Sequence, residues 1–367
     1  MIPRKPISQL NIVRAVAMIA VVLIHATAPA FGRLEPQSDL YWFYMFLNRF
    51  SRFSVPLFIF VSGLVLFYNY YVRENTFESW KKFYKKRLSY ILIPYLMWSA
   101  FYLIYMMVID TKSPVSINEL RIDLLFGLSK YHLYYIAVLI QFYFVFPFIL
   151  KAVQKVAILR GLLFILGFII QFYLIDLNQQ MMIFQHQGSI VFSYIGYFLF
   201  GAWFGIYYEK IMDYRDKLVT IVSGVLTLIL GIAHAQTYYL SHIGQETVPV
   251  WMFNFIFAGF SVASGVFLLK ISLKSIHLPN KFTDFLNVLG HYSFGIYLIH
   301  PFVLDVFDKM LNNYANVNIH LFVFSRFFFA LFISLFLVYL IIKLVKFSWI
   351  IFGSTSYMPL FDKKNKE

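Results

Sequence analysis

Apolar runs of about 20 residues, each long enough to cross a hydrocarbon core, recur along almost the whole chain and leave little room for anything else. They are expected near 9–31, 52–71, 89–109, 133–151, 158–176, 189–208, 218–238, 250–269, 289–309 and 321–346. Lipid offers no partner to a backbone N–H or C=O, so each run must satisfy its own hydrogen bonds, and a helix does that. Alternating in-out periodicity is absent, which sets aside a membrane barrel. The balance of 60% hydrophobic against 13% charged residues over 367 positions excludes a water-soluble globule of this length. The expected fold is therefore all-α, a polytopic membrane helix bundle of about ten transmembrane helices over residues 1–350, followed by a short tail at 351–367.

The net charge of +14 invites a nucleic-acid reading, but the basic residues sit in short clusters between apolar runs, without an aromatic-interleaved basic groove. No nucleic-acid partner is expected. Topology accounts for the charge better. Assigning alternate loops to opposite sides leaves Arg33, Arg49, Arg52, Lys112, Arg121, Lys130, Lys309 and Arg326 on one side and most of the other Lys and Arg residues on the opposite one. The positive-inside rule then places both termini in the cytoplasm, with the protein in a cell membrane. The first run lacks a small-residue cleavage site and is read as a retained span. The absence of cysteine removes disulfides and thiolate nucleophiles.

Within this apolar background, the stretch RAVAMIAVVLIHATAP carries an arginine and a histidine. At about 100° per residue, Arg14 and His25 return to within roughly 20° of one another on a helix, some 16 Å apart along it. Intramembrane ionisable groups commonly face a functional cavity, although Arg14 snorkelling to headgroups and His25 bonding a neighbouring helix would also suit the pattern. The ninth run adds SFGIYLIHP, with Tyr297 one turn before His300. Two histidines from different spans converging on one chamber would allow a neutral imidazole to take a proton from an alcohol, with Tyr297 and Asp305 as orienting groups. His132, His186, His242 and His320 fall in outer loops or at span ends, where a solvated surface is the default, and His234 is ambiguous. No metal site is indicated by HExxH or clustered carboxylates, no nucleotide loop by GxxxxGK[ST] or GxGxxG, and no serine-hydrolase elbow by GxSxG.

With RAVAMIAVVLIHATAP, SVPLFIFVSGLVL, KKRLSYILIPYLMWS, HLYYIAVL and SFGIYLIHP in this order, the chain resembles the acyltransferase-3 family of integral membrane acyltransferases. The most specific elements are Arg14 followed by His25 and the close Tyr297 to Pro301; Ser62-Gly63 and the segment Arg87 to Pro94 support them. Tyr134-Tyr135 stands where many relatives have a tryptophan-containing stretch, so no catalytic role is carried onto it.

The resemblance implies an O-acyltransferase of the standalone type, similar to those of exopolysaccharide and biofilm loci. It would move an acyl group, usually acetyl, from acyl-CoA to a hydroxyl of a cell-surface glycan or lipid-linked sugar. No permanently bound cofactor is implied, since acyl-CoA is a substrate. Its phosphates would meet Arg14, Lys86 and Arg87, while His25 acts as general base or transient acyl carrier with His300 and Tyr297 beside it. The lipid bilayer and a glycan synthase complete the expected partners. The rival is an exporter or flippase using the same polar path, and a purely structural partner of a synthase is the blandest alternative.

Overall fold

A computed structural model describes residues 7–73, 75–109, 116–212, 216–245, 247–276, 280–311 and 317–359. Arg4, Lys5, Lys112, Arg215, Lys363, Lys364 and Lys366, basic residues that bear on the expected topology, lie outside these residues. The described chain is helical with no strand. In chain order the α-helices are α1 (Leu10–Thr27), α2 (Asp39–Phe50), α3 (Ser54–Tyr70), α4 (Phe77–Arg87), α5 (Ile93–Ile109), α6 (Ile117–Phe126), α7 (Tyr134–Lys155) and α8 (Ala157–Met181). They continue as α9 (Ile195–Ile206), α10 (Tyr208–Ile211), α11 (Lys217–His242), α12 (Val250–Ile276), α13 (Lys281–His291), α14 (Ser293–Met310), α15 (Ile319–Leu344) and α16 (Trp349–Phe352).

Eight helical segments among the described residues are long and apolar enough to cross a membrane. They correspond to eight of the expected runs. The other two expected spans fall on the shorter apolar stretch Val191–Ile206 and on α14, which carries Asp305, Asp308 and Lys309. The second expected span begins earlier than its apolar run suggests, because α2 leads through a single 3-10 turn, Ser51–Phe53, into α3.

The chain divides into two compact units, one built on Ile59–Ile211 with Val345–Ser354 and the other on Pro6–Phe58, Met212–Leu344 and the segment from Thr355. In the first unit, Gly201 and Gly205 of α9 face the backbone of α3. A Cβ on either would overlap the carbonyl oxygen of Phe60 or Leu64, so the GAWFG spacing lets two helix backbones approach where no side chain would fit. At the start of α5, Pro94 cannot donate to the carbonyl of Tyr90, and the preceding turn Leu88–Leu92 widens to a π-helix closed by Ile93 N–H on the Leu88 carbonyl.

The second unit is organised around α1, which packs against α2, α13, α14 and α15. Its side chains are buried around most of its circumference, as expected for a helix enclosed by others. Residues beyond Leu344 bond back to the helices. In the first unit Trp98 Nε1 donates to the Ile351 carbonyl at 3.0 Å. In the second, Tyr292 is bonded through its hydroxyl to the backbone of Met358, whose N–H donates to it at 2.8 Å.

Candidate active site

His25 stands in the last turn of α1, where four backbone carbonyls lose their helical donors. Neighbouring side chains take their place. Thr27 Oγ1 donates to the carbonyls of Leu23 at 2.8 Å and Ile24 at 3.1 Å. Asn48 Nδ2, fully buried on α2, donates to the Ile24 carbonyl at 2.8 Å and to Thr27 Oγ1 at 3.0 Å. The carbonyl of His25 itself accepts from the Arg326 guanidinium on α15. A cation at the carbonyl end of a helix also complements its dipole.

Arg326 is 6% exposed and is held in turn by Asp308 of α14 through a two-pronged contact, Nε to Oδ1 and Nη2 to Oδ2, both 2.8 Å. This is the planar fork that guanidinium and carboxylate favour. One side chain therefore ties α1, α14 and α15 together at the level of His25. Rather than standing in an outer loop as its place in the charge pattern suggests, Arg326 lies inside a helix, buried, because its charge is matched by a carboxylate two turns from His300. Asp308, rather than Asp305, is the carboxylate that makes this contact.

The second histidine comes from α14. The rings of His25 and His300 lie 5.4 Å apart between centroids, tilted by 33°, so the two spans do bring them together. His300 is fully buried, whereas His25 is half-buried. The Nδ1 atom of His300 lies 2.8 Å from the carbonyl of Tyr297 and 3.1 Å from that of Ile296. The first of these carbonyls is available for a sequence-encoded reason. Its helical donor would be the N–H of residue 301, and Pro301 has none. Two carbonyls can only accept, so Nδ1 carries the proton and the lone pair of the neutral ring sits on Nε2.

Tyr297 is 4% exposed and its ring lies 5.9 Å from that of His300. Its contribution to the histidine is made by the main chain as much as by the phenol. Arg14 sits half-buried on α1, three turns before His25 and on the same helix. Lys86 and Arg87 belong to the other unit. Lys86 is exposed there, and Arg87 spreads over the rings of Tyr143 at 4.7 Å and Phe83 at 5.4 Å. These two rings flank its guanidinium, so its position is set by cation–π contact within that unit.

The other histidines divide. His320 is exposed and bonds the Tyr44 hydroxyl at 2.9 Å, and His242 is exposed. His132 departs from the expectation of a solvated surface: it is 1% exposed, edge-on to Tyr102 at 5.4 Å, because its loop is covered by helices of the first unit. His234 is 3% exposed and packs on Phe257 at 4.7 Å and Phe253 at 4.9 Å. Arg326, Asp308 and Asn48 are the residues that sequence reasoning passed over; each is a polar side chain in or beside an apolar run, and that was the only signal of it.

One family sequence model, described as "Acyltransferase domain", matches the chain over residues 7–343. The chain belongs to this acyltransferase-3 family and is a membrane acyltransferase. Among curated proteins it is similar to the probable poly-beta-1,6-N-acetyl-D-glucosamine export protein of Staphylococcus aureus (strain MSSA476), with 26% identity over 271 residues and 71% of each chain covered. It is also similar to the protein so named in Staphylococcus epidermidis, with 25% identity over 323 residues and 85% of each chain covered. No solved structure matches the chain.

Proposed function

We propose that this protein transfers an acyl group, usually acetyl, from cytoplasmic acyl-CoA to a hydroxyl of an extracytoplasmic carbohydrate at a bacterial plasma membrane. The observation that carries the reading is the His25–His300 pair, with its rings 5.4 Å apart and the proton of His300 held on Nδ1. Orienting one nitrogen of an imidazole by a hydrogen bond leaves the other as a directed acceptor, which is how a histidine is prepared for proton transfer.

In this mechanism Arg14 meets the donor phosphates near the N-terminal, inner end of α1, and the thioester extends along the helix face toward His25. The half-buried His25 takes the proton of the acceptor hydroxyl as its oxygen attacks the thioester carbonyl; the C–S bond breaks, and the coenzyme leaves as a thiol that collects that proton. His300 positions His25 through the adjoining ring, and Arg326 holds the His25 main chain. A variant of the same chemistry forms an acyl-histidine at His25 first.

The acceptor suggested by the relatives' names is a poly-N-acetylglucosamine chain, and a synthase of such a glycan is the natural partner. Those names also favour a second reading, export of the polymer, in which the polar path is a conduit. Acylation of surface glycan by His25→Ala and Arg14→Ala proteins, with membrane insertion verified, separates the two. Acyl transfer predicts a loss of turnover for His25→Ala and a raised apparent KM for acyl-CoA for Arg14→Ala. Undiminished acylation in both variants would overturn this mechanism, whereas absence of acyl transfer together with glycan accumulating inside cells that lack the protein would favour export instead.

A further inference from the structure

In the first unit a cavity of about 510 Å³ opens beside the start of α4 and the end of α7, and its lining includes Arg73, Asn75, Trp80, Lys151, Gln154 and Lys155. Its volume falls within the range of ligand pockets. Arg73, Lys151 and Lys155 are exposed, and the lining among the described residues contains no carboxylate. Glu78, on the first turn of α4, is 3.9 Å from Lys82 instead. Three like charges around one cavity repel one another, and a bound anion relieves that repulsion.

The walls are tied together. Gln154 Nε2 donates to the Tyr71 carbonyl at 2.7 Å, and Asn75 Nδ2 donates to Gln154 Oε1, so the turn that carries Arg73 is fixed to the last turn of α7. Arg160 of α8 donates to the Tyr71 hydroxyl at 2.9 Å, which brings a fourth cation to that turn. The Arg73 guanidinium sits 5.0 Å from the centre of the Tyr70 ring. Trp80 is half-buried, edge-on to Phe83 at 5.7 Å and to Phe146 at 6.0 Å.

An apolar strip leads away from the cavity along α7. Phe144, Phe148, Lys151 and Lys155 follow one another at intervals of four, three and four residues, which places them on one face of the helix over about 16 Å. Phe144 is 58% exposed and Phe148 76%, and Phe148 also belongs to the lining. The positive-inside assignment sets the basic end at the cytoplasmic surface, where Trp80 stands at headgroup height, and the two phenylalanines in hydrocarbon. A soluble anion would use the cations alone. The strip as a whole fits a molecule with a phosphate at one end and an alkyl chain at the other.

We propose that this cavity binds an anionic phospholipid of the inner leaflet. The phosphate oxygens accept from Arg73, Lys151 and Lys155, and one acyl chain lies along Phe148 and Phe144. The bound lipid holds the turn after α3 against the end of α7. The site is independent of the acyl-transfer reading above.

The test is native mass spectrometry of the purified full-length protein in detergent, titrated with phosphatidylglycerol and, separately, with phosphatidylcholine of the same chains. The wild type should retain one phosphatidylglycerol at concentrations where phosphatidylcholine is lost. Lys151→Gln combined with Lys155→Gln should weaken that binding about tenfold. Lys81→Gln combined with Lys85→Gln removes equal charge from exposed positions of α4 outside the lining and should stay within about twofold of the wild type. Phe148→Gln leaves every cation in place and should weaken binding about threefold. Equal retention of the two lipids by the wild type, or equal weakening by the two lysine pairs, overturns the site. Glycerol 3-phosphate and acetyl-CoA, added as competitors, identify the source of the phosphate. Neither should displace the lipid, and displacement by either would assign the cavity to a soluble phosphate and end the lipid proposal.

Discussion

Pro301 frees the carbonyl of Tyr297, and the carbonyl fixes the proton of His300. Proline has no N–H for the helical bond to the residue four positions earlier, so His300 Nδ1 occupies that place at 2.8 Å. A proline within a helix is usually a cost to stability. Here it sets the tautomer of the histidine that precedes it.

Pro301→Ala restores a competing donor to the Tyr297 carbonyl. The expected outcome is a thermal midpoint equal to or above that of the wild type together with a fall in turnover of about fivefold, equivalent to one hydrogen bond of about 1 kcal/mol. Unfolding in detergent and acyl-transfer rates on the same preparation check it. A fall in both quantities would point to a purely structural role for the proline.

Arg326 and Asp308 differ in exposure, 7% against 28% for their side chains, and this makes their removal unequal. Asp308→Ala strands a buried guanidinium and should cost about 3 kcal/mol, whereas Arg326→Ala leaves a carboxylate that still reaches water and should cost less. The double variant should be more stable than the sum of the two losses implies, which thermal or denaturant unfolding of all four proteins will show.

Asn48 supplies two donations to the last turn of α1, at 2.8 and 3.0 Å. Asn48→Leu keeps approximate volume and removes both, leaving the Ile24 carbonyl to Thr27 alone. A destabilisation of about 1–2 kcal/mol is expected. Because His25 sits on that turn, acyl transfer should fall further than the folded fraction does, measured against protein recovered as a single species.

In the first unit, Gly205→Ala places a methyl against the Leu64 carbonyl. Relief requires α3 and α9 to separate, and overpacking of this kind costs about 1–3 kcal/mol. Its thermal midpoint should drop below that of Gly188→Ala, since a Cβ at Gly188 meets nothing within 4 Å.

Much of this architecture is readable along the chain because lipid tolerates few solutions. An apolar run of span length must be a helix, so α1, α3, α5, α7, α8, α11, α12 and α15 are visible as local patterns. Arg14 and His25 are likewise legible, since a charged group within an apolar run stands out and helical spacing alone puts the two on one face. The pairing of His25 with His300 could only be anticipated.

Tertiary structure decided the rest, because it depends on which helices meet. Arg326 looked like a loop cation until α14 supplied Asp308 and α1 the His25 carbonyl; its burial is possible only with both. Tyr238 of α11 likewise meets Arg49 of α2 and Phe253 of α12, residues of three helices whose separations in sequence carry no period. Hydrophobicity and helical period are properties of one segment and are written in it. A buried polar contact is a property of two, and it exists only once packing has brought both partners to the same depth.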